Sequence, residues 1–240
     1  MKKTLQISMF LLIVSAYRVS AQQINAKADF AQPVNEVVCE GLTVTLTAST
    51  DAGGGLVYDP DKYEWIDVTN GNTQVAETSN TLVLNGLLPG MHTFRVRGTV
   101  TSESTCTGEF EEFTFYVLPA LDVTVASSGD ANGNIFCSDE LPLTIQLTAA
   151  VTPKTTVSEV FGYTYQWYKV EGGTATAISG ATSSTYTVNA LALGTATYKV
   201  VSAYRVDGSC AFDSSAASAG AVNIVVKPRP VKPTITFTKS

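Results

Sequence analysis

Few residues in this chain are able to do chemistry, and their spacing excludes most of it. His92 is the single histidine in 240 residues, and no Gly-x-Ser-x-Gly turn stands anywhere. A serine–histidine–aspartate relay therefore lacks its nucleophile elbow. The His-Glu-x-x-His pair of zinc hydrolases and the glycine-rich phosphate loop are missing as well. Asp59 and Asp61 flank Pro60, whereas a glycosidase needs two carboxylates facing each other across a cleft. With no counterpart in the second half of the chain, Asp-Pro-Asp reads as a solvated turn. The run Asp130-Ala-Asn-Gly-Asn134 has the opening spacing of a calcium loop. Ile135, however, stands where the sharp turn needs glycine, and Leu141 where the bidentate glutamate belongs. Cys39, Cys106, Cys137 and Cys210 include no Cys-x-x-Cys, and no second histidine completes a zinc set. No catalytic, cofactor-binding or metal-binding residue is assigned, and the chain reads as a non-enzyme. Tyr58, Phe161 and Tyr168 are left as aromatic side chains suited to stack on a sugar or another ligand.

The elements that must carry these residues are strands. Thirty-two threonines stand in the chain, and a β-branched residue sits comfortably on a pleated, half-wet surface. Leu42, Val44, Leu46 and Ala48 alternate with Thr43, Thr45 and Thr47; Leu143, Ile145, Leu147 and Ala149 alternate with Thr144, Gln146 and Thr148. Period two with polar residues on one face predicts half-buried antiparallel strands, and helical spacing is absent after the first 21 residues. Those 21 residues hold Lys2, Lys3, an apolar run from Leu5 to Tyr17 and a Val19-Ser20-Ala21 ending, the order of a cleaved secretory signal peptide. The run is too short for a transmembrane segment, and no later stretch approaches the ~20 apolar residues a span needs. Without the leader, 12 basic residues face 21 acidic ones, a net charge of −9. Such a chain is repelled by nucleic acid and by anionic lipid. At 45% hydrophobic and 15% charged the composition forms a core and excludes disorder.

The chain also repeats itself. Thr78-Ser-Asn-Thr-Leu-Val-Leu-Asn-Gly-Leu-Leu-Pro-Gly90 aligns without gaps on Thr182-Ser-Ser-Thr-Tyr-Thr-Val-Asn-Ala-Leu-Ala-Leu-Gly194. The same offset carries Phe94 and Val96 onto Tyr198 and Val200, and Cys106 onto Cys210; upstream, Trp65 matches Trp167 and Cys39 matches Cys137. Trp65, Trp167, Phe94 and Tyr198 are the expected core anchors. Phe113, Phe115 and Val117, or Val222, Ile224 and Val226, form the expected last strand of each unit, which Pro119 or Pro228 then ends. About seven short strands per hundred residues with a buried tryptophan on the third describe an immunoglobulin-like sandwich; a jelly roll is the competing fold. The fold class expected is all-β, with two tandem immunoglobulin-like antiparallel sandwiches at 22–119 and 120–228. They are expected to fold independently, followed by a proline-rich linker and the start of a further strand at 229–240.

The Val-Cys-Glu-Gly-Leu-Thr-Val-Thr-Leu-Thr opening at Val38, the Tyr-Gln-Trp-Tyr at Tyr165 and the Leu-Ala-Leu-Gly-Thr-Ala-Thr-Tyr-Lys-Val at Leu191 resemble immunoglobulin-like or PKD-like modules of bacterial surface proteins. The resemblance runs over 33–228. It implies tandem modules of the kind found in adhesins and gliding-associated proteins of Gram-negative bacteria, many of them exported by a type IX system. One departure stands out. Cys106 lies 12 residues after Phe94, and Cys210 lies 12 after Tyr198, where antibody domains place the second cysteine two residues after the aromatic. A bridge would tie a domain end together and would not cross beneath the tryptophan. Four cysteines in an exported chain allow three pairings. Repeat symmetry selects Cys39–Cys106 and Cys137–Cys210, each closing a loop of roughly 70 residues and contributing about 4 kcal/mol.

The function expected from these readings is that of a secreted or cell-surface protein, a periplasmic location included. Its modules would act as structural spacers or as adhesive, protein-interaction domains. The alternative is a glycan- or ligand-binding subunit using loops and aromatics at a sandwich end. The expected partner is an extracellular protein or glycan, with no nucleic acid and no cofactor. The tail repeats the grammar of the junction: Val117-Leu-Pro-Ala-Leu-Asp-Val-Thr-Val is echoed, over a longer spacer, by Val226-Lys-Pro-Arg-Pro-Val-Lys-Pro-Thr-Ile-Thr-Phe. Residues 234–238 therefore read as a strand without a partner, and a lone strand is not stable in water. The tail is expected to open a further module or to dock as a β-strand on a sheet edge of another molecule, the alternative being a frayed end.

Overall fold

A computed structural model describes residues 22–101, 105–129, 134–139, 144–189, 191–214 and 220–238. The leader at 1–21 and most of the calcium-like run, 130–133, lie outside the described residues. Strands are numbered β1 to β21 along the chain, and the described residues hold no α-helix, only a 3-10 turn at Lys27–Asp29. The first repeat builds one sheet in the order β2 (Glu36–Cys39), β11 (Glu111–Leu118), β9 (Gly90–Val100), β6 (Tyr63–Asp67) and β7 (Thr73–Gln74), with β10 (Cys106–Thr107) on β9. Facing it is a pair, β3 (Val44–Thr47) with β8 (Thr81–Leu84), flanked by a hairpin of β4 (Asp51–Gly53) and β5 (Leu56–Val57). The second repeat follows the same order: β13 (Ile135–Cys137), β21 (Val222–Lys227), β19 (Gly194–Tyr204), β16 (Tyr163–Glu171) and β17 (Thr174–Ala177), with β20 (Ala211–Asp213) on β19. Its facing sheet has three strands, β12 (Leu121–Ser127), β14 (Ile145–Pro153) and β18 (Thr185–Val188). Two sheets per unit, the larger of them in the same strand order in both, make two tandem immunoglobulin-like sandwiches.

The ladders are not all antiparallel. β2 runs parallel to β11, β13 parallel to β21, and β1 (Gln23–Ile24) parallel to β15 (Val160–Phe161). For β13 this follows from a sheet switch, since the chain runs along β14 as β12, crosses over and then meets the last strand running in the same direction; β2 holds the equivalent place in the first unit.

The repeat is legible side chain by side chain. Trp65 stands opposite Val96 and Trp167 opposite Val200. Both indoles are buried, and each Nε1 donates to a carbonyl in the loop just before a strand of the facing sheet, Ser79 at 2.8 Å and Ser183 at 2.9 Å. Phe94 and Tyr198 are buried beside them. In β11, Phe115 and Val117 face the first core, while Tyr116 and Leu118 face the other way and are equally buried. A strand with no solvent face must have something packed on its back, and here that is the second sandwich.

The joint is extensive. Residues 22–30, where a first strand of the first sandwich would be expected, cross to the second unit instead. Gln23 and Ile24 pair with Val160 and Phe161, and the Gly162 amide donates to the Ile24 carbonyl at 2.9 Å. Phe30, Tyr116, Phe161 and Tyr204 form a chain of ring contacts, with centroids 4.9 Å, 5.6 Å and 5.2 Å apart in the pairs Phe30–Tyr116, Tyr116–Phe161 and Phe161–Tyr204. The phenols are satisfied. Tyr116 donates to Glu159 at 2.8 Å and Tyr204 to the Pro119 carbonyl at 2.7 Å, while the Glu40 carboxylate accepts the Ala120 amide at 2.7 Å.

The cysteine pairing corrects the expectation from repeat symmetry. Cys39 is bonded to Cys210, 171 residues away, and neither Cys39–Cys106 nor Cys137–Cys210 forms. Cys39 lies opposite Leu118, beside the start of β9, whereas Cys106 lies opposite Val100 at the end of β9. Eleven residues of strand separate them by roughly 33 Å at about 3.3 Å per residue, far beyond the reach of a disulfide. In the second unit Cys137 pairs with Lys227 near the start of β19, and Cys210 lies beside its end. Each cysteine pair thus sits at opposite poles of its own sandwich. End-to-end stacking brings the Cys39 pole of one to the Cys210 pole of the other, while Cys106 and Cys137 mark the outer poles. By loop closure this crosslink contributes about 5 kcal/mol.

Two outcomes follow for stability. Separately expressed 22–120 and 120–230 are each expected to melt cooperatively. The second half should melt about 10 °C or more below the intact chain, because it loses the Ile24 and Phe30 contacts and the crosslink at about 4–8 °C per kcal/mol; equal melting temperatures contradict a joint that contributes to stability. Burial, aided by Glu159, pushes the Tyr116 phenol well above its ordinary value, and burial does the same to Tyr204. A phenol whose pKa is raised on folding contributes stability that is intact below the unfolded value of about 10 and is lost as pH rises above it. The denaturant midpoint should fall above about pH 10, less steeply in Tyr116→Phe. A flat midpoint through that range sinks the assignment.

Candidate functional site

The two sandwiches differ at one place. In the second, β12 pairs along β14 from Leu121 opposite Pro153 to Ser127 opposite Leu147, and it packs against β19, β20 and β21. In the first, the corresponding sheet holds only β3 and β8, and β3 has no second neighbour among the described residues. The strand that would fill this place has gone to the joint. Residues 22–35 do alternate, at Ile24, Ala26, Ala28 and Phe30, but Ile24 and Phe30 are buried in the joint and not against β3.

Equivalent positions show what this leaves uncovered. Val44 and Ile145 hold the same place beside Leu84 and Val188, and Ala48 and Ala149 donate to the equivalent carbonyls of Asn80 and Ser184, each at 2.8 Å. Ile145, Ala149, Val200 and Val222 are buried, while Val44, Ala48 and Val96 are half-exposed and Phe113 is exposed. The result is a groove of about 690 Å³ between β3 and the β9–β11 face, running over Leu46, Trp65, Phe94 and Val96. Tyr58 forms part of its wall, edge-on to Tyr63 at 5.9 Å. Gly98 is what lets it lie there, since a Cβ at that position would stand 2.6 Å from the Tyr58 ring. Asp51, Glu109 and Glu111 line the same groove, and the Arg97 guanidinium is held by Glu64, with Nε to Oε2 at 2.6 Å. The groove therefore combines an apolar floor, a free strand edge and acidic residues.

The residues singled out for chemistry do not converge. Of the three aromatics, Tyr58 lines the groove. Phe161 is buried in the joint, which corrects its assignment as ligand-facing: its ring touches Phe30, Tyr116 and Tyr204 together. Tyr168 lies on the outer face of β16, with the Lys199 ammonium 5.8 Å from its ring. His92 stacks on Phe115 at 5.6 Å, and its Nε2 lies 2.8 Å from the Leu88 carbonyl. The Asp59 carboxylate accepts the Thr101 hydroxyl, and the Lys62 amide closes the turn on the Asp59 carbonyl at 3.1 Å. Asp207 approaches Cys210, with Oδ2 to Sγ at 3.7 Å, but both sulfurs of that group are joined to each other. No nucleophile–base pair is assembled among the described residues.

No family model and no curated protein matches the chain. Among solved structures, the fibronectin(III)-like modules of Clostridium thermocellum CbhA match at 13% identity and a TM-score of 0.40, over 85% of this chain and 96% of that one. The three N-terminal domains of the bacteriophage RB49 highly immunogenic outer capsid protein match at 16% identity and a TM-score of 0.44, over 84% and 69%. A marsupial T cell receptor matches at 15% identity and a TM-score of 0.46, over 82% and 72%. At these values the sandwich assignment stands on the strand order itself.

Proposed function

We propose that the chain is an exported, non-catalytic surface protein whose modules, 22–119 and 120–228, act as a stiff spacer and as protein-interaction domains. The observation that carries this reading is the joint: a disulfide between units, a shared aromatic core and a clasping N-terminal segment. A disulfide of this kind belongs to an oxidising compartment, in keeping with the basic, apolar and small-residue order of residues 1–21. A joint that resists bending suits a module that must hold another domain away from a surface, as the resemblance to Gram-negative adhesin and gliding-associated modules also suggests. The glycan reading has less support, because Tyr58, Phe161 and Tyr168 stand at three separate places.

Cell fractionation with N-terminal sequencing tests export. The expected product lies outside the inner membrane and begins at Gln22; an uncleaved cytoplasmic chain overturns the reading. A glycan array run on the same material is expected to stay blank, and saturable sugar binding lost on Tyr168→Ala would favour the glycan alternative instead.

A further inference from the structure

We infer that residues 234–238 of one copy dock as a β-strand on the open β3 edge of the first sandwich of a second copy, linking copies head to tail. This deepens the interaction role proposed above by naming its partner. The joint inside the chain supplies the pattern. There, β11 ends at Leu118, a proline follows, and β12 lies down along β14 with Leu121 and Val123 alternating against polar neighbours. After β21 the chain again reads proline, then Thr234-Ile-Thr-Phe-Thr238, placing Ile235 and Phe237 where Leu121 and Val123 stand after Pro119. Ile235 is 93% exposed and Phe237 is 88% exposed. The first sandwich meanwhile lacks this strand, and the positions it would cover, Val44, Ala48, Val96 and Phe113, are the ones left open. Supply and demand for one strand stand in the same chain.

Charge and reach decide between partners. From Lys227 to Ser240 every charged residue is basic (Lys227, Arg229, Lys232 and Lys239), whereas the groove is lined by Asp51, Glu109 and Glu111. Arg229 is fixed at the outer pole of the second sandwich by Asp139, with Nη1 to Oδ2 at 3.0 Å. The four residues from there to Pro233 span at most about 14 Å. The groove of the same chain lies beyond the joint and along the first sandwich, whose β9 alone is roughly 33 Å long, so the tail cannot reach it. The groove of a second copy, entered from that copy's outer pole, is within reach and reproduces the geometry of the internal joint. Pairing also removes an exposed apolar edge, an aggregation hazard that a sheet otherwise has to protect.

Analytical ultracentrifugation of the mature chain (22–240) tests this against the same chain lacking 231–240 and against Phe237→Asp. The mature chain is expected to sediment as a concentration-dependent series of oligomers, and both variants as monomers. Phe113→Asp, at an exposed groove position, should lose the acceptor function while keeping the tail. Mixed with the tail-less chain, it should form a heterodimer and nothing larger. Both tryptophans are buried, but Trp65 forms part of the groove floor and Trp167 does not. A synthetic peptide of residues 229–240 should therefore shift tryptophan emission of the tail-less chain saturably, and about tenfold more weakly when it carries Phe237→Asp. A mature chain that stays monomeric up to about 1 mM, oligomers that persist without the tail, or a peptide that leaves the emission unchanged each overturn the proposal. Any of these leaves the export test, and with it the spacer reading, to be decided on its own.

Discussion

β11 has no face in contact with water at its C-terminal end, and the rest of the molecule is arranged around that fact. Phe115 and Val117 complete the first core while Tyr116 and Leu118, on the opposite face, complete the joint. Burying a large apolar side chain contributes about 1.5–3 kcal/mol, so a strand that buries both faces couples the two sandwiches energetically. The phenol of Tyr116 reaches Glu159 and that of Tyr204 reaches the Pro119 carbonyl. The polar atoms carried into the joint are thereby satisfied, which is the condition for burying them at all. The Cys39–Cys210 bond lies at the edge of the same contact and fixes it covalently.

A consequence of this joint is the asymmetry between two otherwise equivalent units. The segment that precedes β2 places its apolar residues Ile24 and Phe30 in the joint, pairing with β15 instead of lying along β3 as an edge strand. The first sandwich is left with a two-stranded facing sheet, an open groove and a small core of Leu46, Tyr63, Trp65, Leu82, Phe94, Phe115 and Val117. The second, with β12 in place, buries the equivalent positions completely. The larger buried core lies in the second unit and the joint, and the open groove in the first unit.

Much of this was legible in the residues, and the part that was not has a physical cause. Period-two alternation and the two tryptophans located the strands and the core, because burial on one face of a pleat writes itself into sequence directly. The disulfide did not emerge from the repeat. Internal alignment identifies which cysteines are equivalent, but not which pole of a sandwich each occupies, and pole position decided the pairing. Phe161 was misassigned for a related reason: a hydrophobic residue outside a strand core looks like a free aromatic until a second unit packs on it. The open edge left no signal in the alternation, because residues 22–35 alternate at Ile24, Ala26, Ala28 and Phe30 much as 121–127 do. The open positions Val44, Ala48, Val96 and Phe113 carried no signal either, since each reads as an ordinary core position.

The central claim is that the two units are joined pole to pole. Proteolysis of the mature protein under non-reducing conditions, followed by mass spectrometry of the linked peptides, tests it most directly. The account predicts a peptide joining the segment of Cys39 to that of Cys210, in place of bridges confined to each repeat. Recovery of Cys39 linked to Cys106, or of Cys137 linked to Cys210, would place both partners at one pole of a single sandwich and contradict the joint.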